Sequence, residues 1–595
     1  MPSAPQAMAD RVGTSRAIRQ GRAAIAGGET ASRRRPLVAS GRMASEAPAT
    51  PSAAGRNADG SIDIATQSLA RPATLMAAGT ALSRLTGVGR IVAMAFALGV
   101  TESRLGDAYN LANTLPIVLY ELILGGVLTS VFIPVLVEQL RTKDRDEAWR
   151  SISAIVTTAV AFLAGLTLLA ALAAPLIIDA LTANAAGGDA EAQRDLATFF
   201  LRVFAIQIVL FGLVAIAGGL LNAHGRFAVP MFAPVLNNVV VIAMFLTFAA
   251  IVDGTPTDAS VAADSGQKWL LALGTSGGVA ALAAVYWPFL RRLPGRVRPR
   301  LDLREPALRK LIALASWTVV YVLLNTLGFG VSFFLASGTQ GGVTAYVTAF
   351  AFFQLPIGIA AVSIVSALLP KLSAFHVAGD DDSFRIRLAG GLRLTALLMI
   401  PATAALLLLA DPMVTLLLQH GVVRADSADL VASTLRYFAL GLLPFAAFQL
   451  FMRSFYARQD ARTPALVNVW ENAATIGLDL ALYPLLDVRG LALAHSLGYV
   501  AGALVAVQVL RRRLGGMEGR RTLEGTLRIL LAGAACALAI FAVRQGVAAV
   551  LAAGDARAIA QLALGGLAGL AAFLVTARVL RVEDLDLFAR LLPGR

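Results

Sequence analysis

The sequence predicts an all-α polytopic membrane protein with about fourteen transmembrane helices, arranged as two six-helix lobes in parallel repeat plus a C-terminal helix pair. Of the 595 residues, 57% are hydrophobic and only 15% are charged, whereas soluble domains average about 25% charged residues. The apolar residues form blocks of about twenty or more, the length that crosses a bilayer core as a helix. Continuous runs such as 159–178 exclude the short alternating strands of a membrane β-barrel.

Fourteen apolar segments after residue 71 account for the predicted spans. They lie at 72–100, 106–137, 151–180, 196–221, 228–252, 268–290, 311–336, 343–370, 388–410, 428–452, 464–486, 489–510, 526–548 and 557–580. Arginine and lysine concentrate in alternate loops, which predicts that these loops and both termini are cytoplasmic. Residues 1–71 contain no long apolar run and have the composition of a disordered basic tail.

Two segments resemble each other and indicate an internal repeat. Residues 221–230 and 455–464 align at an offset of 234, and the Leu-Pro pairs ending at Pro116 and Pro356 align at an offset of 240. Parallel repeats of this kind place a transporter's substrate at their interface, and the two prolines predict bent helices lining a central cavity. The predicted units are a cytoplasmic tail (1–71), a first lobe (72–292), a basic cytoplasmic linker (293–310), a second lobe (311–513) and a C-terminal two-helix extension (514–595).

The residue types needed for several chemistries are scarce. Cys536 is the only cysteine and the four histidines lie far apart, so redox, haem and zinc chemistry have little support. No Gly-x-x-x-x-Gly-Lys loop is present, so ATP hydrolysis in this chain would not drive transport. The net charge of +14 belongs largely to loop arginines. We therefore expect a non-enzymatic transporter with no cofactor and no nucleic-acid partner.

Two arginines in the first span are the leading candidate site residues, because a charge inside a bilayer is costly. Arg84 and Arg90 suit a phosphate, since the guanidinium is planar, bidentate and always charged. Snorkelling to the cytoplasmic interface is the alternative for Arg84. On a straight helix the two side chains diverge by about 120°, and Gly87 and Gly89 would let the helix relax so that both face one cavity.

The second span contains further polar candidates. Asp107 lies near its outer end, where it would be solvated, cap the helix or face the cavity. Asn110 and Asn113 follow it, and Glu121 lies five residues past the proline, where a bend would allow it to pair with Arg90.

A polar face in span 11 is the candidate site for coupling transport to an ion. Thr475 and Asp479 are four residues apart and hence share one helix face. Asn325 in span 7 and His495 in span 12 extend the set. Such a group suits Na⁺ or a proton relay, and a packed polar network is an equally good interpretation.

These features resemble the MurJ (MviN) lipid II flippases of the MOP exporter superfamily. The resemblance covers about residues 74–580 and is carried by segments 83–90, 107–109, 115–116, 221–234, 334–338, 367–373, 419–421 and 455–464. The family moves lipid II, the polyprenyl-pyrophosphate-linked peptidoglycan precursor, from the inner to the outer leaflet. The resemblance implies the same substrate, a location in the bacterial cytoplasmic membrane and a role in cell-wall biogenesis and cell shape. It also implies that Arg84, Arg90 and Asp107 match cavity residues of the family.

Two positions depart from the family pattern. Proteobacterial members have arginines where this chain has Tyr120 and Phe352, so the cavity should be less cationic and should depend more on Arg84 and Arg90. The expected neutral partners of the pyrophosphate are Asn110, Asn113 and Gln354. Residues 352–356 and the arginine-rich composition are similar to actinobacterial members.

Two alternatives are kept beside an alternating-access flippase. The first is a different cargo on the same fold: another polyprenyl-linked saccharide, or a drug carried by a MATE-like cation-coupled exporter with cavity carboxylates. The second is a membrane scaffold for cell-wall synthesis proteins, which would not need arginines at depth. For a flippase, a Na⁺ or H⁺ gradient or the membrane potential would supply the resetting force.

Overall fold

The computed structural model describes residues 66–122, 133–187, 189–226, 228–302, 304–358, 362–460 and 462–585. These stretches consist mainly of helices and contain no strand, which confirms the all-α prediction. Most of the predicted tail and part of the second predicted span lie outside the described residues, so the predicted unit boundaries stay predictions.

The first lobe is built from helices α1 to α10. They are α1 (Thr66–Leu98), α2 (Leu105–Leu122), α3 (Ile133–Thr142), α4 (Arg145–Leu172), α5 (Ala174–Thr182), α6 (Ala190–Phe204), α7 (Ile206–Ala223), α8 (Ala228–Ile251), α9 (Asp258–Ala263) and α10 (Ser265–Leu290). The third predicted span is broken between α4 and α5, just before Pro175, because proline lacks an N–H group and disfavours helix in the preceding residue. The fourth is broken at Ala205.

The second lobe and the C-terminal pair complete the bundle. Their helices are α11 (Pro306–Ala336), α12 (Gly342–Pro356), α13 (Val362–Val377), α14 (Asp381–Leu418), α15 (Ala425–Ala439), α16 (Leu442–Ala457), α17 (Arg462–Leu486), α18 (Val488–Arg513), α19 (Gly519–Val550) and α20 (Asp555–Val579). Helices α15 and α16 are bent by 49° at their junction. The hydroxyl of Ser496 in α18 lies 2.8 Å from the carbonyl oxygen of Tyr437, and it thereby satisfies a carbonyl next to the break.

Nine helical stretches of the described chain are long and apolar enough to cross a bilayer, with α6 and α7 counted as one stretch, or ten if α15 and α16 also form one span. Each of the fourteen predicted segments contains a helix or a broken helix pair in its described part. The number of spans nevertheless stays a prediction, because helices such as α2, α12 and α17 are too short or too polar to meet the criterion alone.

The backbone repeats across the two lobes as the sequence predicts. Gly225 after α7 and Gln459 after α16 are 234 residues apart, and both have left-handed backbone, with φ of 73° and 57°. Gln459 thus adopts a conformation that normally favours glycine. The same turn connects α7 to α8 and α16 to α17, which supports two lobes of one design.

An asparagine after each turn extends the equivalence to the first helix of each lobe. In the first lobe, Asn238 of α8 donates to the carbonyl of Ser83 and the hydroxyl of Thr86 in α1, at 3.2 and 3.0 Å. In the second lobe, Asn472 of α17 packs so closely against Gly328 of α11 that a Cβ there would lie 2.4 Å from its Oδ1. Helices α1 and α11 therefore occupy matching places.

Candidate functional site

The lobes are hydrogen-bonded to each other at the end of the bundle that carries the α1–α2 turn, which is called the closed end. Arg104, at the start of α2, donates to the carbonyl of Ser337 at 3.0 Å. The side chain of Gln340 donates to the carbonyl of Thr101 at 2.9 Å. At the opposite end, Ser151 of α4 donates to Glu305, the linker residue directly before α11, at 2.9 Å.

Asp107 joins the lobes by capping a helix of the other lobe. Its carboxylate is fully buried and accepts from the backbone N–H groups of Gly341 and Thr344 and from the Thr344 hydroxyl, each at 2.8 Å. Gly341 precedes α12 with a φ of 74° and has no side chain to cap it. Asp107 therefore satisfies N–H groups that the first turn of α12 leaves unpaired, and its charge favours that positive helix end. Asn110 donates to the same Thr344 hydroxyl at 3.2 Å.

Glu102 makes a second contact of the same kind. Its buried carboxylate accepts from the backbone N–H of Arg424, immediately before α15, at 2.7 Å and from the hydroxyl of Ser427 at 2.6 Å. The hydroxyls of Thr101 and Ser427 are also hydrogen-bonded. Two carboxylates of the first lobe thus bind the beginnings of two helices of the second lobe.

A third carboxylate at the closed end is less well satisfied. Asp258, in the short helix α9, is buried, and its Oδ1 has no hydrogen-bond partner among the described residues. Burial raises the pKa of Asp258 to about 6, although the nearby Arg104 opposes the rise. This carboxyl lies in the α8–α10 connection, outside the spanning helices.

Arg84 reaches from the first lobe to the second. A Cβ at Gly358, two residues past the end of α12, would lie 3.2 Å from Arg84 Cζ, so the guanidinium rests against the backbone there. The side chain is otherwise exposed. The α-helical part of α12 ends at Pro356 and residues 357–358 continue as π-helix, whereas α2 stays α-helical past Pro116. The contact with Arg84 therefore lies where the helix changes type, just after the second-lobe proline.

Arg90 has a different environment, about 1.7 turns nearer the closed end. It lies beside the hydroxyl of Tyr109 in α2, and that hydroxyl is 2.9 Å from the hydroxyl of Thr275 in α10. The Tyr109 ring is held by edge contacts with aromatic rings of α6 and α8. Arg90 remains partly exposed. Helix α1 is continuous here, and Gly87 and Gly89 face α8.

No carboxylate of the described residues forms a salt bridge with Arg84 or Arg90. The side chains of Glu121 and Tyr120 lie outside the described residues, so the predicted Arg90–Glu121 pair stays a prediction. Phe352 is fully buried.

The remaining neutral candidates differ in accessibility. Gln354 is half-buried. Asn113 is buried, and its Oδ1 has no hydrogen-bond partner in the described chain. Of the three neutral candidates, Asn113 is therefore the one whose side-chain oxygen is buried without a hydrogen-bond donor among the described residues.

The span 11 candidates form a buried polar seam between α11 and α17. Ser332 donates to Asp479 Oδ2 at 2.7 Å, whereas Asp479 Oδ1 is buried without a hydrogen-bond partner among the described residues. Asn325 donates to the side chain of Asn468 at 2.9 Å. Thr475 donates to Glu471 at 3.2 Å. The described residues contain no group of three or more acidic, histidine or cysteine side chains placed for a metal, and the predicted coupling role of this seam stays a prediction.

His495 lies in an aromatic pocket. Its ring packs edge-on against Phe350 and Tyr499, with centroids 5.2 and 4.8 Å away, and its Nε2 has no hydrogen-bond partner in the described chain. The structure thus brings Asn325, Thr475 and Asp479 to one seam, while the contacts of His495 are aromatic.

Several residues that shape the closed end, the surroundings of Arg90 or the span 11 seam were not predicted from the sequence. They are Glu102, Tyr109, Ser332 and Thr344. Glu102 falls in a predicted loop, and the predicted span over 343–370 together with the paired glycines at 341 and 342 indicates that a helix begins beside Thr344. That signal does not reveal which segment supplies the cap.

Comparison with known proteins decides the family. The family model described as "Lipid II flippase MurJ" matches residues 94–557. The chain belongs to the MurJ lipid II flippase family. The match begins after Arg90, so the family assignment does not depend on the two arginines.

Individual MurJ relatives cover most of the chain. A probable lipid II flippase MurJ of Rhizobium meliloti is 29% identical over 479 residues, which are 80% of this chain and 86% of that protein. The lipid II flippase MurJ of Burkholderia cenocepacia is 28% identical over 446 residues, 73% of this chain and 82% of that protein.

Solved structures share the fold. A MurJ structure titled as an inward closed conformation aligns with a TM-score of 0.68 at 20% identity, covering 85% of this chain and 99% of that one. An inward-facing MATE transporter of the MOP superfamily aligns with a TM-score of 0.59 at 15% identity, covering 74% and 99%. At these identities the likeness is one of fold.

Proposed function

We propose that this protein flips lipid II from the inner to the outer leaflet of the bacterial cytoplasmic membrane by alternating access. The observation that carries the proposal is the pair of accessible arginines, Arg84 and Arg90, about 21 and 12 Å along α1 from its end at the closed end. Unpaired cations at that depth are costly unless they bind an anion. The pyrophosphate of lipid II is such an anion, and guanidinium groups bind its oxygens in bidentate fashion.

The arrangement allows the two arginines to act on one head group from both lobes. Arg84 is already beside Gly358 in the second lobe, and Arg90 is beside Tyr109 in the first lobe. A pyrophosphate bound between them would replace the missing carboxylate partners and would draw the lobes together. The polyprenyl tail remains in the bilayer because its transfer to water would be strongly unfavourable.

The closed end is the outer gate in this proposal. Its capping contacts from Asp107 and Glu102 must break for the cavity to open outward, and contacts at the opposite end would then form. Cysteine labelling tests this orientation in a Cys536→Ala background. Ala259→Cys, exposed beside the closed end, should react with impermeant reagent in intact spheroplasts, whereas Ala378→Cys, exposed in the α13–α14 turn, should not. The reverse pattern would contradict the direction of transport.

The seam around Asp479 is the proposed coupling site. The oxygen ligands of Asp479 and Ser332 suit Na⁺ or a proton, and the unpartnered Oδ1 gives either one a place to bind. Binding would neutralise a buried carboxylate and so change the cost of moving the lobes. Asp479→Asn should remove the dependence of flipping on the Na⁺ or H⁺ gradient. If the dependence is unchanged, the membrane potential is the remaining source of the resetting force.

Transport of lipid II by the full-length protein in proteoliposomes tests the function itself. Lipid II enclosed on one side should become accessible to an enzyme or antibody on the other side. The double variant Arg84→Ala, Arg90→Ala should lose this activity, whereas Arg578→Ala, an exposed arginine in the last turn of α20, should keep it. Equal activity of all three proteins would refute the binding role of the arginines, and no activity in the wild type would refute flipping.

A further inference from the structure

The segment between α10 and α11 has an unusual composition. Residues 291–301, called the strap, read Arg-Arg-Leu-Pro-Gly-Arg-Val-Arg-Pro-Arg-Leu, with five arginines and no acidic residue. The transport mechanism proposed above uses none of these arginines. A basic segment between lobes is often a solvated linker. The contacts of the strap with α4 instead hold it in one defined position.

The strap is packed against the first lobe rather than spanning freely between the lobes. Leu293 is buried in the cluster that contains Trp149 of α4. The backbone at Gly295 lies so close to the Trp149 indole that a Cβ would be 2.2 Å from the ring. Only glycine fits at this position, so the indole fixes where the strap meets α4.

Two backbone hydrogen bonds fix its further course. The N–H of Arg298 donates to the Ser153 hydroxyl at 3.1 Å, and the N–H of Arg300 donates to the Thr157 hydroxyl at 3.0 Å. Four residues of helix rise about 6 Å, which matches the roughly 6.6 Å that two residues of extended chain advance. The strap therefore runs along one stripe of α4 in an extended conformation.

An extended chain points successive side chains to opposite faces, and here the two faces differ in chemistry. One face carries the exposed arginines Arg296, Arg298 and Arg300. The other carries Val297, Pro299 and Leu301, with Val297 40% and Leu301 66% exposed. The strap is thus amphipathic, and its apolar face is left partly uncovered.

The position of the strap along α4 matches the depth of a membrane interface. It ends beside Thr157, two residues before the continuous apolar run that begins at Ala159. At its start, Arg291 lies 4.6 Å from the ring centroid of Trp287, which is 57% exposed. Exposed tryptophan beside a basic residue is typical of the headgroup level.

The charge of this region favours an anion. An open groove of about 1130 Å³ lies between the strap and the first turns of α4. It is lined by five arginines and by three acidic residues, Asp144, Asp146 and Glu147. Glu147 is paired with Lys143 at 3.1 Å, and Arg300 is paired with Asp302 at 3.1 Å. The net charge of the side chains that line the groove is therefore positive.

We propose that the strap binds the headgroups of anionic phospholipids in the cytoplasmic leaflet. Its arginine face contacts the phosphates, and Val297 and Leu301 reach the upper acyl region. This proposal rests on the orientation proposed above, which places the strap on the cytoplasmic side. Lipid contact would hold the first lobe at a fixed depth while the second lobe moves.

The test measures lipid binding to the full-length protein in detergent by native mass spectrometry. The wild type should retain phosphatidylglycerol in preference to phosphatidylcholine. The triple variant Arg296→Gln, Arg298→Gln, Arg300→Gln should bind phosphatidylglycerol about tenfold more weakly, because each basic residue near a lipid surface adds to the attraction. The matched triple variant Arg511→Gln, Arg512→Gln, Arg520→Gln makes the same charge change in exposed arginines of the second lobe and its extension. It should lose clearly less phosphatidylglycerol binding than the strap variant, because these arginines lie outside the strap.

A variant that keeps every charge tests whether lipid binding depends on the fixed position of the strap or only on its net positive charge. Ser153→Ala with Thr157→Val removes both acceptors of the strap backbone and keeps every arginine. Phosphatidylglycerol binding should weaken by about threefold, a change of roughly 0.7 kcal/mol. Binding equal to the wild type would mean that the arginines attract the lipid wherever the strap lies, contrary to the proposal.

Three results would overturn the proposal. They are equal retention of the two lipids by the wild type, equal losses in the two triple variants, and loss of undecaprenyl pyrophosphate binding without loss of phosphatidylglycerol binding. The last result would place the strap on the substrate path. Since binding is measured without transport, failure of this test and failure of the flippase function are distinguishable.

Discussion

The two halves of the lobe interface use charge in opposite ways. At the closed end, the carboxylates of Asp107 and Glu102 are buried and accept hydrogen bonds from the first turns of α12 and α15. Further along α1, Arg84 and Arg90 are accessible and form no salt bridge with a described carboxylate. The carboxylates complete the protein's own hydrogen bonding, whereas the arginines are left able to bind an anion from outside.

This contrast shows why a polar residue inside a membrane protein cannot be assigned a role from its type alone. Asp107 and Arg90 are both charged residues that the sequence predicts as cavity residues. Asp107 has its donors within the protein, and substrate contact in this conformation would have to displace them. Hydrogen-bond satisfaction therefore separates the contacts that hold the lobes together from the groups available to a ligand.

The largest effect is expected from Arg90, the deeper of the two arginines. Arg90→Ala should nearly abolish lipid II flipping, and Arg90→Lys should keep part of it, because lysine retains the charge without the planar fork. A lost charge-assisted contact costs about 1.5–3 kcal/mol, or roughly ten- to a hundredfold in affinity. Proteoliposome flipping with Arg578→Ala as control measures the loss.

The same assay tests whether Arg90 binds the substrate or only neutralises Glu121. If Arg90 only neutralises Glu121, the double variant Arg90→Ala, Glu121→Ala would flip lipid II normally. Under the binding role the double variant stays inactive.

The next largest effect is expected from removing the cap on α12. Asp107→Ala leaves the N–H groups of Gly341 and Thr344 without their acceptor, which should weaken the closed end by about 2–3 kcal/mol. Disulfide formation between Thr101→Cys and Ser427→Cys, in a Cys536→Ala background, should slow accordingly. Asp487→Ala is the matched control, because Asp487 accepts from Thr339 within a single lobe. An equal slowing in the control would argue against a specific role between the lobes.

A smaller and more local effect is expected from Glu102. Glu102→Ala should increase hydrogen–deuterium exchange in the first turn of α15 by about tenfold, because a helix cap is worth about 1 kcal/mol or somewhat more. Glu102→Gln should fall between this variant and the wild type, since an amide keeps one acceptor oxygen. Faster exchange at α12 with none at α15 would show that the two caps are not independent contacts.

The smallest effect is expected at Asp258. It tests whether a carboxylate at the closed end stabilises the fold only when its oxygens accept hydrogen bonds. Its raised pKa means that the folded state takes up a proton near pH 6 and the unfolded state only near 4, so its contribution to stability improves as the pH falls through that window. Asp258→Asn should therefore raise Tm by about 2–4 °C at pH 7.5 and by less at pH 4.5. Asp253→Asn, exposed in the same connection, is the control, and identical shifts in both variants would contradict the assignment.

The sequence predicted the architecture because the relevant signals are local along the chain. Apolar blocks mark the helices, arginine-rich loops indicate their orientation, and the repeated turns at Gly225 and Gln459 follow from similar residues 234 positions apart. Arg84 and Arg90 could be chosen as site residues for the same reason, since an arginine inside an apolar segment is visible without any knowledge of its neighbours.

Only the tertiary structure decided which residues close the interface. Asp107 and Gly341 are 234 residues apart in sequence, and Glu102 and Arg424 are 322 apart, so no local pattern links them. A carboxylate near a helix start equally suggests a cap for its own helix, solvation or a ligand contact. The choice depends on which helix ends the packed lobes bring within about 3 Å of its oxygens, because a hydrogen bond forms only over that distance.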